Sequence, residues 1–169
     1  MEQLVKQAQS GSPDAFVQLI EQNQQAMYKV AICYLKNTED VADVMQDTVL
    51  IAYEKIKDLK HAKYFKTWLT RILINKCKDF LSGREREETW EKLPETEYLQ
   101  DFDKHITYRE LFQALGDEYR DILILYYGKG YKTKEIAWIL DVKEATIRTR
   151  LRRGRQKLKT LIEKESDGE

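Results

Sequence analysis

Apolar residues recur at three- and four-residue spacing along the first 83 residues, a pattern that predicts amphipathic helices. Ser12, Pro13 and Asp14 indicate a helix start, because Ser is a good cap, Pro suits the first helical position and an acid favours the first turn. The apolar face of this helix is predicted to be Phe16, Leu19, Ile20, Met27, Val30, Ala31 and Tyr34.

Two more helices are predicted before residue 83, and the three together predict a helical bundle. One begins at Glu39 and Asp40, and the other follows a basic break at residues 57–63. Their apolar faces are Val41, Val44, Met45, Thr48, Ala52 and Ile56 in the first, and Phe65, Trp68, Leu69, Ile72, Leu73 and Phe80 in the second. No alternating run is long enough for a sheet, so the predicted fold class is all-α.

The last third of the chain has the pattern of a smaller helical domain. Two helices are predicted to end at Gly116 and at Gly128 with Gly130. Their apolar residues are Tyr108, Leu111, Phe112 and Leu115, then Tyr119, Ile122, Leu123 and Tyr126. A short helix capped by Thr133, a three-residue break and a helix from Glu144 into the low 160s then predict a helix-turn-helix.

Between these helical regions, residues 84–105 are acidic, contain Pro94 and lack a helical stripe. We interpret them as a linker that joins two small helical domains, residues 1–83 and residues 106–169. The linker's large apolar residues predict that it docks on a neighbour. They are Trp90, Tyr98, Leu99 and Phe102.

The formal net charge is zero, but the charge is unevenly distributed. Residues 143–159 contain eight basic side chains and a single acid, Glu144. So dense a local excess is typical of a phosphate-binding surface, although a solvated basic helix face would look the same. The basic residues are Lys143, Arg148, Arg150, Arg152, Arg153, Arg155, Lys157 and Lys159.

The last helix is predicted to pack through Ile147, Leu151, Gly154 and Leu158, which lie on one side at 100° per residue. The opposite side contains Ala145, Thr149, Arg152 and Gln156. We predict that Thr146, Thr149 and Arg152 contact bases. We predict that Arg148, Arg153 and Arg155 hold phosphates.

Two features of the N-terminal half suggest further binding surfaces. Opposite its apolar stripe, the second helix has Asp43, Gln46, Asp47, Leu50 and Glu54, which indicate either a solvated face or a protein-docking face around Leu50. Basic and aromatic residues alternate from Lys60 to Lys78, a composition that suits melted nucleic acid. Phe65 and Trp68 also lie on the apolar stripe, which favours core packing for those two.

Three stretches resemble the signature stretches of bacterial extracytoplasmic function (ECF) sigma factors, a group of the sigma-70 family. They read DVMQDTVLIAYEKI (residues 43–56), FKTWLTRILINKCKDFL (residues 65–81) and KTKEIAWILDVKEATIRTRLRRGRQKL (residues 132–158). The resemblance extends over nearly the whole chain. The sequence departs from the usual pattern at Lys143, Glu144 and Ala145 in the turn and at Gly154, where alanine is common.

The resemblance implies a non-enzymatic initiation factor that binds core RNA polymerase and promoter DNA. It assigns Asp43, Gln46, Asp47 and Leu50 to the clamp helices of the largest subunit, and a second contact is expected at the flap of the second-largest subunit. Residues implied for the melted −10 element are Lys60, His61, Lys63, Tyr64, Lys66, Thr67, Arg71 and Asn75. Residues implied for the −35 duplex are Thr146, Arg148, Thr149, Arg152 and Arg153. An anti-sigma partner, often membrane-anchored, and a stress signal are implied as well.

Two other functions were compatible with parts of the sequence. A helix-turn-helix regulator that binds DNA without polymerase would share the C-terminal domain and differ in the N-terminal half. A nucleic-acid hydrolase is disfavoured, because no Gly-rich phosphate loop, HExxH motif or metal-binding carboxylate pair occurs. Cys33 and Cys77 indicate neither a disulfide framework nor a zinc site. We expect no cofactor, no metal, no direct membrane binding and a cytoplasmic location.

Overall fold

The computed structural model describes residues 1–35, 37–87 and 114–166. Over these ranges the chain is helical with short turns and contains no strand, so the predicted all-α class is confirmed. The chain divides into two compact units, Met1–Pro94 and Glu95–Glu169. The predicted linker from residue 88 onward and the helix predicted around Tyr108 lie outside the described residues.

The N-terminal unit is built around three mutually packed helices, α2, α3 and α4, with a shorter helix α1 against α2. Two 3-10 turns lie between α3 and α4, and α1 contacts both of them. The helices are α1 (Glu2–Gln9), α2 (Pro13–Tyr34), α3 (Thr38–Lys55) and α4 (Phe65–Glu87), and the turns are Ile56–Asp58 and Ala62–Tyr64. Helix α4 thus ends four residues beyond the predicted domain boundary at 83.

Side-chain caps start the first two long helices, α2 at the predicted residue and α3 one residue before the predicted start at Glu39. The Ser12 hydroxyl accepts a hydrogen bond from the Ala15 amide at 3.3 Å, and Pro13 is the first residue of α2. The Asn37 side chain accepts from the Asp40 amide at 2.8 Å, which places the start of α3 at Thr38. Each cap pairs an amide that the helix itself leaves without an acceptor.

The core of this unit follows the predicted apolar faces in α2 and α3 but not fully in α4. Trp68 and Ile72 are only half-buried, whereas Ile74 and Cys77 are at most 1% exposed. Helix α4 contacts both α2 and α3, so it buries a wider face than a single stripe. The largest fully buried side chains here are Leu19, Leu35, Phe65, Leu69, Leu73 and Ile74.

Helix α1 was not predicted from the sequence. It buries Val5 completely and leaves Ala8 6% exposed. Eight residues offer only two turns of periodicity, and isolated helices of this length are marginal, so packing rather than local pattern accounts for α1.

The C-terminal unit contains, in its described part, helices α5 (Asp117–Leu123), α6 (Thr133–Leu140) and α7 (Glu144–Ser166). A π-helical turn, Ile124–Gly128, continues α5. Gly116 and Gly130 have φ angles of +82° and +67°, which glycine tolerates best, and they mark the predicted breaks on either side of this helix.

The predicted cap of α6 at Thr133 is wrong by one residue. Lys132 is the cap residue, and its backbone amide donates to the Glu135 carboxylate at 2.8 Å. The Thr133 hydroxyl instead donates to the Glu144 carboxylate across the turn. The side chain predicted to cap α6 is therefore used in a tertiary hydrogen bond. Ile136 is fully buried.

The three-residue turn agrees with the prediction, and so does the packing face of α7 except at Leu158, which is half-buried. Asp141 adopts the left-handed conformation at φ +57°, and the Val142 amide bonds the Ala137 carbonyl at 3.0 Å. Ile147, Leu151 and Gly154 are buried, and α7 packs on α5 and α6. No helix among the described residues has the length and apolar character to cross a membrane.

Candidate nucleic-acid and protein interfaces

The predicted docking face of α3 is on the surface, and it is larger than the sequence indicated. Asp43, Gln46 and Glu54 are exposed, and the Leu50 side chain is 63% exposed. Tyr53, three residues after Leu50, is 56% exposed and was missed. Its spacing from Leu50 was the available signal, because residues three apart share a helix face.

One acid of this face already has a basic partner. The Asp47 carboxylate lies 3.2 Å from the Lys76 ammonium of α4 and remains 56% exposed. A surface pair of this kind contributes little to stability, so Asp47 stays available to a protein partner. The Tyr53 ring packs edge-on against Phe16 at 5.1 Å, which fixes it beside Leu50. The face therefore presents two apolar side chains within an acidic surround.

The basic loop before α4 presents a tyrosine between two cationic or polar neighbours. Tyr64 is 45% exposed, the Lys63 ammonium lies 4.9 Å from its ring centroid, and the His61 ring lies edge-on at 6.0 Å. Lys60 is also exposed. An exposed ring beside lysine ammonium groups is suited to stacking with an unpaired base whose phosphates the lysines bind.

The residues implied on α4 divide between surface and core. Lys66 and Asn75 are exposed and Arg71 is half-buried. Thr67, by contrast, is only 6% exposed. The implied contact of Thr67 with DNA therefore needs correcting, because α4 turns this side chain toward the bundle. Trp68 is half-buried, with its ring 5.9 Å from that of Phe65.

On α7, the side predicted to face DNA is exposed. Thr149, Arg152 and Arg153 are exposed and Thr146 is half-buried. The Thr149 hydroxyl donates to the Ala145 carbonyl at 3.0 Å, which leaves its oxygen free to accept. Arg152 and Arg153 form no ion pair with another residue in the described ranges. Their charges are therefore available to an external anion.

Glu144 connects the two helices of the helix-turn-helix. Its carboxylate accepts from the Thr133 hydroxyl at 2.7 Å and from the Arg148 guanidinium at 2.8 Å. These two hydrogen bonds, the one from Thr133 first, hold the pKa of Glu144 below its ordinary value of 4.5. The lone acid of the basic segment thus orients Arg148.

The basic residues later on α7 contact α5 and the π-helical turn. The Arg155 guanidinium lies 5.3 Å and 5.4 Å from the rings of Tyr126 and Tyr127. Arg150 pairs with Glu118 at 3.3 Å. Cation–π contacts of this kind favour a role for Arg155 in the packing of the unit, and its predicted contact with phosphate stays a prediction. Among the described residues, no group of three or more His, Cys, Asp or Glu side chains could hold a metal ion.

Two protein-family models match the chain and correspond to its two units. Sigma-70 region 2 matches residues 19–87, and sigma-70 region 4 matches residues 105–158. The chain belongs to the sigma-70 family. Several of its relatives have the ECF designation, which places this sigma factor in the ECF group. The resemblance inferred from the three stretches is confirmed, and the hydrolase alternative is set aside, since sigma factors are not enzymes.

Relatives and solved structures agree with this assignment. The RNA polymerase sigma factor SigV of Bacillus subtilis is 28% identical, with 88% of this chain and 92% of SigV covered. The structure of CnrH in complex with the cytosolic domain of CnrY has a TM-score of 0.79 at 26% identity, with 96% of each chain covered. RpoE of Bartonella quintana, solved with the anti-sigma factor NepR, has a TM-score of 0.74 at 23% identity, with 88% of this chain and 96% of RpoE covered.

Proposed function

We propose that this sigma factor binds core RNA polymerase through α3 and directs initiation at promoters with a −10 and a −35 element. The observation that carries the proposal is that three separate surfaces are exposed: the Leu50 and Tyr53 face, the basic loop at Lys60–Tyr64, and the arginine-bearing side of α7. A regulator acting without polymerase would need only the last of them.

The three surfaces have different chemistry, which supports three different roles. The acidic, partly apolar α3 face suits a protein partner, because interface cores contain apolar anchors within a polar rim. The loop offers a ring and cations for unpaired bases. The exposed side of α7 offers Thr149 and Arg152 for base edges and Arg153 for the backbone of duplex DNA.

Regulation by an anti-sigma factor belongs to the same proposal. CnrH and RpoE, both similar in fold to this chain, were each solved with a protein partner. The partner of CnrH there is a cytosolic domain. We infer that this chain is likewise held by an anti-sigma factor, one anchored in the membrane, until a stress signal arrives, and that it acts in the cytoplasm where the polymerase is.

Run-off transcription with purified core polymerase tests the proposal. The chain should support initiation from defined start sites on a genomic template library, and core polymerase alone should not. Failure to initiate on any template, together with binding of the free chain to one duplex site, would instead support the regulator function.

A narrower test concerns the reading side of α7. Thr149→Ala and Arg152→Ala should each change the base preference within the −35 element. Arg153→Ala should weaken binding to all sequences by a similar factor. It should also reduce the slope of log K against log salt concentration by about one, the value for one lost phosphate contact. An unchanged −35 preference in the first two variants would contradict the assignment of this side.

A further inference from the structure

Helix α1 lies before the region that the sigma-70 region 2 model matches, residues 19–87, yet it contacts the part of the unit that leads into the basic loop. It packs on α2 and touches both 3-10 turns, Ile56–Asp58 and Ala62–Tyr64. Val5 and Ala8 are buried in that packing. Helix α1 therefore supports the segment that contains the basic loop, because it contacts the turns at both ends of that segment.

Gln9, the last residue of α1, makes the specific connection. Its side-chain amide donates to the Ile56 carbonyl at 3.0 Å and to the Leu59 carbonyl at 2.8 Å, across 47 and 50 residues of sequence. Both hydrogens of the amide nitrogen are therefore used. Leu59 is 8% exposed, so removal of the amide would leave the carbonyl of a largely buried residue without this hydrogen bond.

These two carbonyls lie at either end of the first 3-10 turn: Ile56 is its first residue, and Leu59 follows it directly before Lys60. The Leu59 amide bonds the Ile56 carbonyl at 3.2 Å, and the Tyr64 amide bonds the His61 carbonyl at 3.0 Å. On the other side, Phe65 is 1% exposed in the core. The loop from Lys60 to Tyr64 is consequently fixed at its end by Phe65 and at its start by Gln9.

We propose that Gln9 is a positioning residue for recognition of the melted −10 element. By holding the Ile56 and Leu59 carbonyls, it fixes the direction in which the chain enters the loop, and so the placement of His61, Lys63 and Tyr64 toward an unpaired strand. The proposal rests on the function proposed above, which assigns the loop to −10 DNA. A residue outside the matched region thereby contributes to promoter selection without touching DNA.

The first experiment needs only the full chain and is independent of the polymerase. Gln9→Met keeps the length of the side chain and removes both donors. Gln7→Met is the matched control, because Gln7 is an exposed residue of the same helix. Hydrogen exchange at the Leu59 and Tyr64 amides should become about tenfold faster in Q9M, while exchange within α2 and α4 and the whole Q7M pattern stay as in wild type. Equal exchange in Q9M and wild type would overturn the positioning role.

The second experiment uses the holoenzyme. With Q9M, binding to a single-stranded −10 oligonucleotide should fall about fivefold to tenfold and base preference within the −10 element should relax, because the loop is no longer held in one conformation and must be ordered when the DNA binds. Core polymerase affinity and −35 duplex binding should remain those of wild type and Q7M.

The outcomes separate this inference from the proposed function. If wild type initiates at promoters and Q9M matches it in −10 affinity and base preference, only the role of Gln9 is contradicted. If Q9M loses core binding and −10 binding together, Gln9 acts on the fold of the unit and the inference fails. If wild type itself does not initiate, the proposed function fails, and the −10 role of Gln9 fails with it.

Discussion

Single side chains decide how the helix-turn-helix presents its charge. Glu144 is the lone acid in a stretch of eight basic residues, and composition gives it no evident role. Its carboxylate accepts hydrogen bonds from Thr133, the first residue of α6, and from Arg148 of α7, and we call this pair of bonds the Glu144 brace. The arginines that remain unpaired among the described residues, Arg152 and Arg153, are then the ones open to DNA.

The brace should depend on pH in an acidic range. The pKa of Glu144 is lowered, so its stabilisation is present above its ordinary value of 4.5 and is lost as the pH falls through the lower value in the folded state. The free energy of unfolding in urea should therefore be larger for wild type than for Glu144→Gln by a constant amount near neutral pH. This difference should shrink below pH 4.5.

Thr133→Val provides the control for this assignment. Removing the hydroxyl that contributes most to the shift should raise the pKa of Glu144 toward 4.5, as followed by NMR titration of its carboxyl carbon. A pKa that is the same in T133V and wild type would show that the hydroxyl does not set it.

At the scale of elements, each unit depends on how closely its helices approach. Gly154 is a helix-interior glycine, and a Cβ added there would lie 3.3 Å from the Tyr119 Cβ of α5. The absence of that atom lets α7 pack tightly on α5 and so fixes which side of α7 turns outward. In the other unit, α3 buries Val44 and Thr48 and leaves Leu50 and Tyr53 exposed.

Substitutions at Gly154 test the α5–α7 contact. Gly154→Ala should change the free energy of unfolding by no more than about 1 kcal/mol, because its better helix propensity offsets a tight contact. Gly154→Val should destabilise by about 1–3 kcal/mol through overpacking. Thermal unfolding of both variants measures this, and equal stability of the valine variant and wild type would show that α5 yields.

Leu50 tests the docking face of α3. Leu50→Ala should weaken binding to core polymerase about tenfold while leaving stability unchanged, because the side chain is 63% exposed and would act as an apolar anchor. Val17→Ala, which truncates a side chain 52% exposed on α2, is the control and should bind as wild type does. Competition with a labelled factor for core polymerase gives the affinities. Equal affinities of Leu50→Ala and Val17→Ala would show that Leu50 does not contribute to the interface.

For the whole molecule, zero net charge fits a factor that polymerase delivers to DNA. The free chain should bind −35 duplex weakly, with a Kd of roughly 10⁻⁴–10⁻⁶ M at physiological salt, the range of non-specific binding. Holoenzyme should bind the same promoter at least about a hundredfold more tightly, as measured by fluorescence anisotropy at matched salt. Nanomolar binding of −35 duplex by the free chain would contradict the proposal that the factor depends on polymerase for its affinity for DNA.

Much of the fold could be predicted from the sequence because its signals are local. The cap at Ser12, the breaks at Gly116 and Gly130, and the apolar faces of α2, α3 and α7 each depend on a few neighbouring residues. The exposed sides of α3 and α7 followed from the same periodicity. The identification as a sigma factor followed from three stretches in order, which the two family models confirm.

Other features depended on contacts between residues far apart in sequence, which no local pattern contains. Helix α1 exists through its packing, and Gln9 reaches carbonyls about fifty positions away. The burial of Thr67 follows from α4 lying against two helices at once. Thr133 bonds Glu144 instead of capping its own helix. The sequence by itself determined the longer helices and the family, because both depend on short-range patterns. Tertiary packing decided the presence of α1, which polar side chains hold the helices together and which ones remain exposed for binding.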